Sequence, residues 1–86
     1  MTRDEIEKAI MRIFDEQFEI EDPKPNEDLR EVYEFDSIDA IELLREIELL
    51  LQVQLTREEK KAAMDIRSID QVVDYVLALD NRHRPN

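Results

Sequence analysis

Apolar residues recur every three or four positions in three long stretches of the chain, the spacing that places side chains on one side of an α-helix. They are Ile6, Ile10, Ile13 and Phe14; Ala40, Leu43, Leu44, Ile47 and Leu51; and Ile69, Val72, Val73 and Val76. A shorter helix is expected over Glu58 to Met64. Because strand-like alternation and glycine-containing hairpin turns are absent, the pattern predicts an all-α four-helix bundle with three long helices and one short third helix.

Capping pairs mark the start of each predicted helix. In such a pair, the capping side chain accepts from the amide three residues on, whose side chain accepts in return from the amide of the capping residue. The pairs are Thr2 with Glu5, Asp36 with Asp39, Thr56 with Glu59, and Ser68 with Gln71. These assignments use three of the four aliphatic hydroxyls in the chain. They leave Ser37, at the first position of the second long helix, either without a role or free for a chemical one.

The connection between the first two long helices is about 17 residues, which is long for so small a domain. We expect its second half to be held by apolar side chains, namely Leu29, Val32, Tyr33 and Phe35, and the part near Pro23 to be loose. We expect one domain over residues 1–80 and a frayed tail over residues 81–86, which has nothing to bury.

The net charge of the chain indicates which classes of molecule it could bind. The 86 residues include 12 Lys and Arg against 23 Asp and Glu, a net charge of −11 that falls entirely within residues 1–52. Phosphate backbones and anionic membranes repel such a surface, so basic protein surfaces are the better candidates and nucleic acid is not expected. Since no apolar run could cross a bilayer and the first residues do not resemble a secretion signal, we expect a soluble, cytoplasmic monomer without membrane insertion.

The sequence offers little for catalysis. Without cysteine there is no thiolate nucleophile or thiolate metal site, and the single histidine, His83, falls in the predicted tail. No acidic loop has the spacing and central glycine of a calcium site. We therefore expect a non-catalytic protein with no metal ligands and no catalytic residues.

The outward side of the second long helix combines acidic and apolar residues. Its candidate partner-binding residues are Ile38, Asp39, Ile41, Glu42, Arg45, Glu46 and Leu49. Carboxylates steer a basic partner while exposed apolar groups supply contact area, which favours a docking surface. The alternative is that the long connection simply covers Ile38 and Leu49.

The segment around Ser37 resembles the modification-site helix of acyl carrier proteins. The resemblance rests on Asp36, Ser37, Ile38 and Asp39, followed by Ile41, Glu42, Leu43, Leu44, Ile47 and Glu48, and continues in a last helix over Ser68 to Leu79. Members of that family are small acidic four-helix bundles with a long first loop and a short third helix. The similarity extends over nearly the whole chain.

The resemblance implies that Ser37 carries 4'-phosphopantetheine, transferred from coenzyme A by a phosphopantetheinyl transferase. It also implies that Asp36 caps the helix and helps to place the magnesium of the transferase. A helix start offers a positive dipole, and we expect free amides there to face the new phosphodiester. We expect the acyl group to be buried among a set of apolar residues: Leu43, Leu44, Ile47, Leu51 and Val72.

The implied function is to present acyl thioesters to acyl-loading, synthase or acyltransferase enzymes with basic docking patches, in fatty acid, lipid or polyketide synthesis. The family pattern Gly-x-Asp-Ser-Leu is replaced here by Glu34, Phe35, Asp36, Ser37 and Ile38, and Arg45 interrupts the acidic face. These departures suggest a specialised carrier. A D-alanyl or peptidyl carrier protein, and an unmodified acidic adaptor that binds through Asp39, Glu42 and Glu46, are the alternatives.

Overall fold

The chain is described by a computed structural model over residues 1–83. Its elements, in order, are α1 (Arg3–Phe18), α2 (Leu29–Tyr33), α3 (Ser37–Leu51), α4 (Arg57–Ala62), a single 3-10 turn (Ala63–Asp65) and α5 (Ile69–His83). Residues 1–83 contain no strand. The expected all-α class is confirmed, with three long helices and a short helix before the last one.

The long helices α1, α3 and α5 meet along the apolar sides that their periodicity predicts. The buried residues at their contacts are Ile6, Ile10 and Phe14 from α1; Ala40, Leu43, Leu44 and Ile47 from α3; and Ile69, Val72, Val73 and Val76 from α5. Ile13 and Leu51, expected in the same stripes, are only half-buried. Burial of these side chains is the main favourable term in folding, and each of the Val, Leu, Ile and Phe side chains contributes about 1.5–3 kcal/mol.

The connection before α3 is more ordered than the sequence suggested. Its second half contains α2, a helix that the periodicity did not predict, and Asp28 caps this helix by accepting from the amides of Arg30 and Glu31. Leu29 is buried as expected, but Val32 is 51% exposed and does not pin the segment.

The first half of the connection is also held in place. Pro23 is buried, and the Pro25 carbonyl accepts from the Asp70 amide at 3.0 Å. The expectation of a loose segment near Pro23 is therefore wrong, because contacts with the start of α5, which the local sequence does not show, anchor it.

Two further hydrogen bonds hold α2 against the segment that precedes α5. The Leu29 amide donates to the Arg67 carbonyl at 2.7 Å, and Arg30 Nη2 donates to the Met64 carbonyl at 2.8 Å. Because α2 lies three residues before α3, these bonds also restrain the chain that leads into α3.

The ends of the last two helices differ from expectation. The segment predicted as one helix over Glu58 to Met64 is α4 followed by the tighter 3-10 turn. The frayed tail is predicted to begin at residue 81, but α5 continues through His83. The fraying predicted for residues 84–86 lies outside the described residues, and the domain boundary at residue 80 stays a prediction.

None of the helices found in residues 1–83 has both the length and the apolar character needed to traverse a bilayer.

Candidate functional site

The start of α3 is held by a reciprocal capping arrangement. Asp36 adopts an extended backbone, and its Oδ1 accepts from the amides of Ile38 and Asp39, each at 3.0 Å. In return, Asp39 Oδ2 accepts from the Asp36 amide at 3.1 Å. The predicted pair is confirmed, and it places Ser37 at the first position of the helix.

The Ser37 side chain is exposed at this helix start. Its hydroxyl forms no hydrogen bond within the described residues, whereas Thr2, Thr56 and Ser68 all accept as caps. The backbone on either side is thus fixed by Asp36 and Asp39 while the Ser37 oxygen is free to react.

The chain contains an internal comparison, because the tripeptide Ser-Ile-Asp begins at both Ser37 and Ser68. Ser68 Oγ accepts from the Gln71 amide at 3.3 Å, and Ile69 is buried at 1% exposure. Ser37 is unbonded, and Ile38 is 74% exposed. The same three residues therefore lie at the start of two helices, but only the first copy has an unbonded hydroxyl and an exposed isoleucine.

One electrostatic expectation needs correction. The amides of Ile38 and Asp39, expected to be free for a phosphodiester, are occupied by Asp36 Oδ1, and the Ala40 amide donates to the Asp36 carbonyl. What remains is the Ser37 amide, which forms no hydrogen bond within residues 1–83, and the positive end of the helix dipole. Asp36 Oδ2 forms no hydrogen bond within residues 1–83, so one oxygen of this carboxylate caps the helix and the other is open to a cation.

An aromatic cluster anchors the approach to Ser37. The Phe35 side chain is buried, with its ring centroid 5.4 Å from that of Phe14 and 5.3 Å from that of Phe18. Glu34, where the family pattern has glycine, ends α2 in the left-handed conformation (φ 56°, ψ 34°). The backbone shape that favours glycine is therefore kept by a glutamate, and the large ring next to it ties this segment to α1.

The outward side of α3 is open to solvent. Exposed fractions are 74% for Ile38, 54% for Ile41 and 72% for Leu49, so the connection covers none of them. The alternative in which the connection buries Ile38 and Leu49 is wrong. Glu42 and Arg45 are also exposed.

Two acidic residues predicted on this face are less available. Glu46 is half-buried. Asp39 is half-buried as well, and one of its carboxylate oxygens is engaged in the cap. The candidate partner-binding residues that are fully accessible are therefore Ile38, Ile41, Glu42, Arg45 and Leu49.

The residues expected around an acyl group belong to the core. Leu43, Leu44, Ile47 and Val72 are buried, and Leu51 is half-buried and packed against them. They form part of a single apolar cluster. Their role in holding an acyl chain stays a prediction.

A charged cluster between α4 and α5 was not foreseen. The Glu59 side chain is only 4% exposed, and its Oε2 lies 3.2 Å from Arg82 Nη1 and 3.0 Å from His83 Nε2. Its Oε1 accepts from the Thr56 amide at 2.8 Å, and this bond, helped by His83, holds the pKa of Glu59 below its ordinary value. The capping box was the only sequence signal, because the partners on α5 are more than 20 residues away.

Tyr75 adds a second link between α4 and α5. Its hydroxyl donates to the Glu59 carbonyl at 2.6 Å. Burial, with smaller contributions from Glu59 and Glu48, raises the pKa of Tyr75 to about 12. The cluster contains none of the candidate site residues, which favours a structural role. Separately, no group of three or more potential metal ligands is brought together within residues 1–83.

The structure is a small helical bundle with an unbonded serine at the start of an exposed amphipathic helix. This arrangement is expected of a protein that other proteins modify and recognise. The family described as "phosphopantetheine attachment site" matches residues 8–76, well over half of the chain, and the chain belongs to it. Searches of curated proteins and of solved structures find no significant match.

Membership of this family defines the class of protein. The chain is a phosphopantetheine-bearing carrier protein, and its family holds 4'-phosphopantetheine covalently. Carrier domains of this family work with phosphopantetheinyl transferases and synthase enzymes, and in general they are carriers and not catalysts. Family membership favours a carrier over the unmodified acidic adaptor.

Proposed function

We propose that Ser37 is the attachment residue and that the chain is a specialised acyl carrier protein, serving partner enzymes in fatty acid, lipid or polyketide synthesis. The observation that carries the proposal is the exposed, unbonded hydroxyl of Ser37 on a helix start fixed by Asp36 and Asp39. The other serine, Ser68, is engaged as a cap.

The attachment is a phosphoryl-group transfer. The Ser37 oxygen bonds to phosphorus as a P–O bond in the pyrophosphate of coenzyme A breaks, adenosine 3',5'-bisphosphate leaves, and the hydroxyl proton passes to a base of the transferase. The dipole of α3 stabilises negative charge that develops at its first residue. Asp36 keeps Ser37 in position with Oδ1 and offers Oδ2 to the magnesium of the transferase.

The chain has no thiol of its own. The phosphopantetheine arm supplies one when bound, and acyl groups are carried on it as thioesters. The buried cluster of Leu43, Leu44, Ile47, Leu51 and Val72 is our candidate for sheltering the acyl chain between partner visits.

Partner enzymes are proposed to dock on the exposed side of α3. Ile38, Ile41 and Leu49 supply apolar contact area beside Ser37 and along the helix, while Glu42, with Asp39 and Glu46 at the edge, attracts basic surfaces. The net charge of −11 already favours solubility, and large exposed apolar side chains do not add to it. A docking role explains their exposure better.

The specialised character is inferred from two departures. The segment before the modified serine is held by the buried Phe35 ring, whereas the family pattern has a flexible glycine there. Arg45 adds a cation to the middle of the docking face. We expect enzymes of general fatty acid synthesis to turn over the modified protein poorly. Turnover equal to that of their own carrier would contradict the specialised role while leaving the carrier function intact.

The test of attachment is intact and peptide mass spectrometry after incubation with coenzyme A, magnesium and a broad-specificity phosphopantetheinyl transferase. Ser37→Ala and Ser68→Ala are compared with the unaltered chain. We expect one phosphopantetheine adduct on the unaltered chain and on Ser68→Ala, and none on Ser37→Ala. An adduct on Ser37→Ala would reject the assignment of the residue.

The same mass measurement on protein isolated with its load separates the carrier classes. An acyl thioester supports the proposal. An aminoacyl thioester would instead assign the chain to the D-alanyl or peptidyl carriers, which share the modified serine but differ in their loading enzymes.

A further inference from the structure

Four exposed residues form a straight line along α3. Ile38, Glu42, Arg45 and Leu49 are spaced by four, three and four positions, which aligns them on one side of a helix. The line therefore reads apolar, acidic, basic, apolar from the Ser37 end. Ile38 and Leu49, at its two ends, are 74% and 72% exposed.

Arg45 and Lys24 are the two cations in the acidic part of the chain whose side chains form no ion pair or hydrogen bond within residues 1–83. On α1, Lys8 pairs with Asp4 at 3.3 Å and Arg12 pairs with Glu16 at 3.2 Å. The exposed Arg45 guanidinium forms no ion pair or hydrogen bond within residues 1–83. Its charge is therefore available to a partner.

Neither of the acidic residues spaced to pair with Arg45 on α3 does so. Glu42 and Glu48 lie three positions away on either side, a spacing that allows an ion pair on a helix. Glu48 instead accepts from the Leu55 amide through Oε2 at 2.9 Å, closing the turn after α3. Glu42 remains exposed and forms no ion pair within the described residues. The centre of the line thus presents one carboxylate and one guanidinium, each without a partner.

From this arrangement we propose that Arg45 selects the partner enzymes, favouring a docking surface that places a carboxylate opposite Arg45 and a cation opposite Glu42, between two apolar recesses. The inference rests on the proposed carrier function. A uniformly basic docking surface would bring a like charge against Arg45, and such juxtaposition discriminates strongly between partners. Arg45 is a specificity-determining residue in this proposal and takes no part in the chemistry at Ser37.

The experiment uses a broad-specificity transferase with a basic carrier-binding surface as the probe. The rate constant kcat/KM for modification is measured for the unaltered chain, for Arg45→Glu and for Arg57→Glu. Arg57, at the start of α4, is also exposed and free of ion pairs within the described residues, so both variants change the net charge equally. Each carrier is also tested against transferase variants in which single basic surface residues are replaced by glutamate.

We expect Arg45→Glu to raise kcat/KM with the unaltered transferase about threefold or more, and Arg57→Glu to raise it less. One glutamate variant of the transferase should show the opposite preference, being faster with Arg45 than with Arg45→Glu. Both effects should shrink as salt is added, because exposed charges are screened. Circular dichroism of the variants checks that the helices are intact.

Equal responses of Arg45→Glu and Arg57→Glu would overturn the inference, since they would reflect net charge alone. So would the absence of any transferase position coupled to Arg45. In both cases the adduct still forms, and the proposed function stands. An unaltered chain that takes up no adduct would overturn the proposed function together with this inference.

Discussion

At the scale of single residues, Asp36 shapes the start of α3. One of its oxygens accepts from two amides of α3 and the other is open, so the same side chain sets the helix start and the surroundings of Ser37. The role of Asp36 in capping could be predicted from its spacing to Asp39. It could not be predicted that one oxygen accepts from both amides, because this depends on the rotamer of the aspartate.

Replacing Asp36 separates these roles. Asp36→Ala should lower the free energy of unfolding by about 1 kcal/mol, because a cap is lost. It should also slow phosphopantetheine attachment about tenfold or more, because Ser37 is less well positioned and the open carboxylate oxygen is gone. Asp36→Asn retains capping ability and should lose mainly the attachment rate. Urea unfolding and kinetics followed by mass spectrometry measure the two effects.

Thr56→Ala is the matched control. It removes an equivalent cap from α4, far along the chain from Ser37, and should cost about 1 kcal/mol without slowing attachment. If Thr56→Ala slows attachment as much as Asp36→Ala does, the effect of Asp36 is general destabilisation and its assigned role at the site is wrong.

At the scale of elements, helix ends are made without glycine. Glu19, Glu34 and Gln52 end α1, α2 and α3 with φ between 55° and 56°, the left-handed region that usually favours glycine. The chain contains no glycine at all. Since a side chain in this region costs about 1–2 kcal/mol per residue, these helix ends hold removable strain.

Gln52→Gly should therefore stabilise the protein by about 0.5–1 kcal/mol, the relief of strain exceeding the entropy that glycine gains in the unfolded chain. Gln17→Gly, within the last turn of α1, should destabilise it by about 0.5–1 kcal/mol. Thermal and urea unfolding measure both. Destabilisation by Gln52→Gly would show that the glutamine side chain contributes more than its backbone strain costs.

Element boundaries show what periodicity could and could not predict. The starts of α1, α3, α4 and α5 follow from their capping pairs, which lie within four residues of each other. The short helix α2 was missed because five residues hold too little periodicity. It is stabilised by its Asp28 cap and by bonds to Met64 and Arg67, which are distant in sequence.

At the scale of the whole molecule, Glu59 connects the last two helices. Its buried carboxylate accepts from Thr56 and contacts Arg82 and His83, and this contact accompanies the extension of α5 past Asn81. Removal of this carboxylate leaves the Thr56 amide, Arg82 and His83 without the acceptor that they share, which costs more than loss of an exposed ion pair.

The stability that Glu59 contributes should depend on pH. Because its pKa is lowered in the folded state, the contribution is present above the ordinary value of 4.5 and is lost as the pH falls through the lowered folded value. The difference in free energy of unfolding between the unaltered chain and Glu59→Gln should therefore be larger at pH 7 than at pH 3. Denaturant unfolding at both pH values measures it.

Glu58→Gln is the control for this measurement. Glu58 is exposed and its carboxylate forms no hydrogen bond within residues 1–83, so its replacement should change stability little at pH 7. A Glu59→Gln difference that is the same at both pH values would show that the folded protein does not depend on the ionised carboxylate.

The sequence by itself determined the all-α class and the capped helix starts, because those depend on side chains and amides three or four residues apart. It also made Ser37 the candidate, as the one aliphatic hydroxyl not assigned to a cap. Only the tertiary structure decided which copy of Ser-Ile-Asp is open, with Ile69 buried in the core and Ile38 in solvent. It also decided that α2 forms and that Pro23 is buried. These features depend on contacts between helices, and such contacts leave no local pattern in the chain.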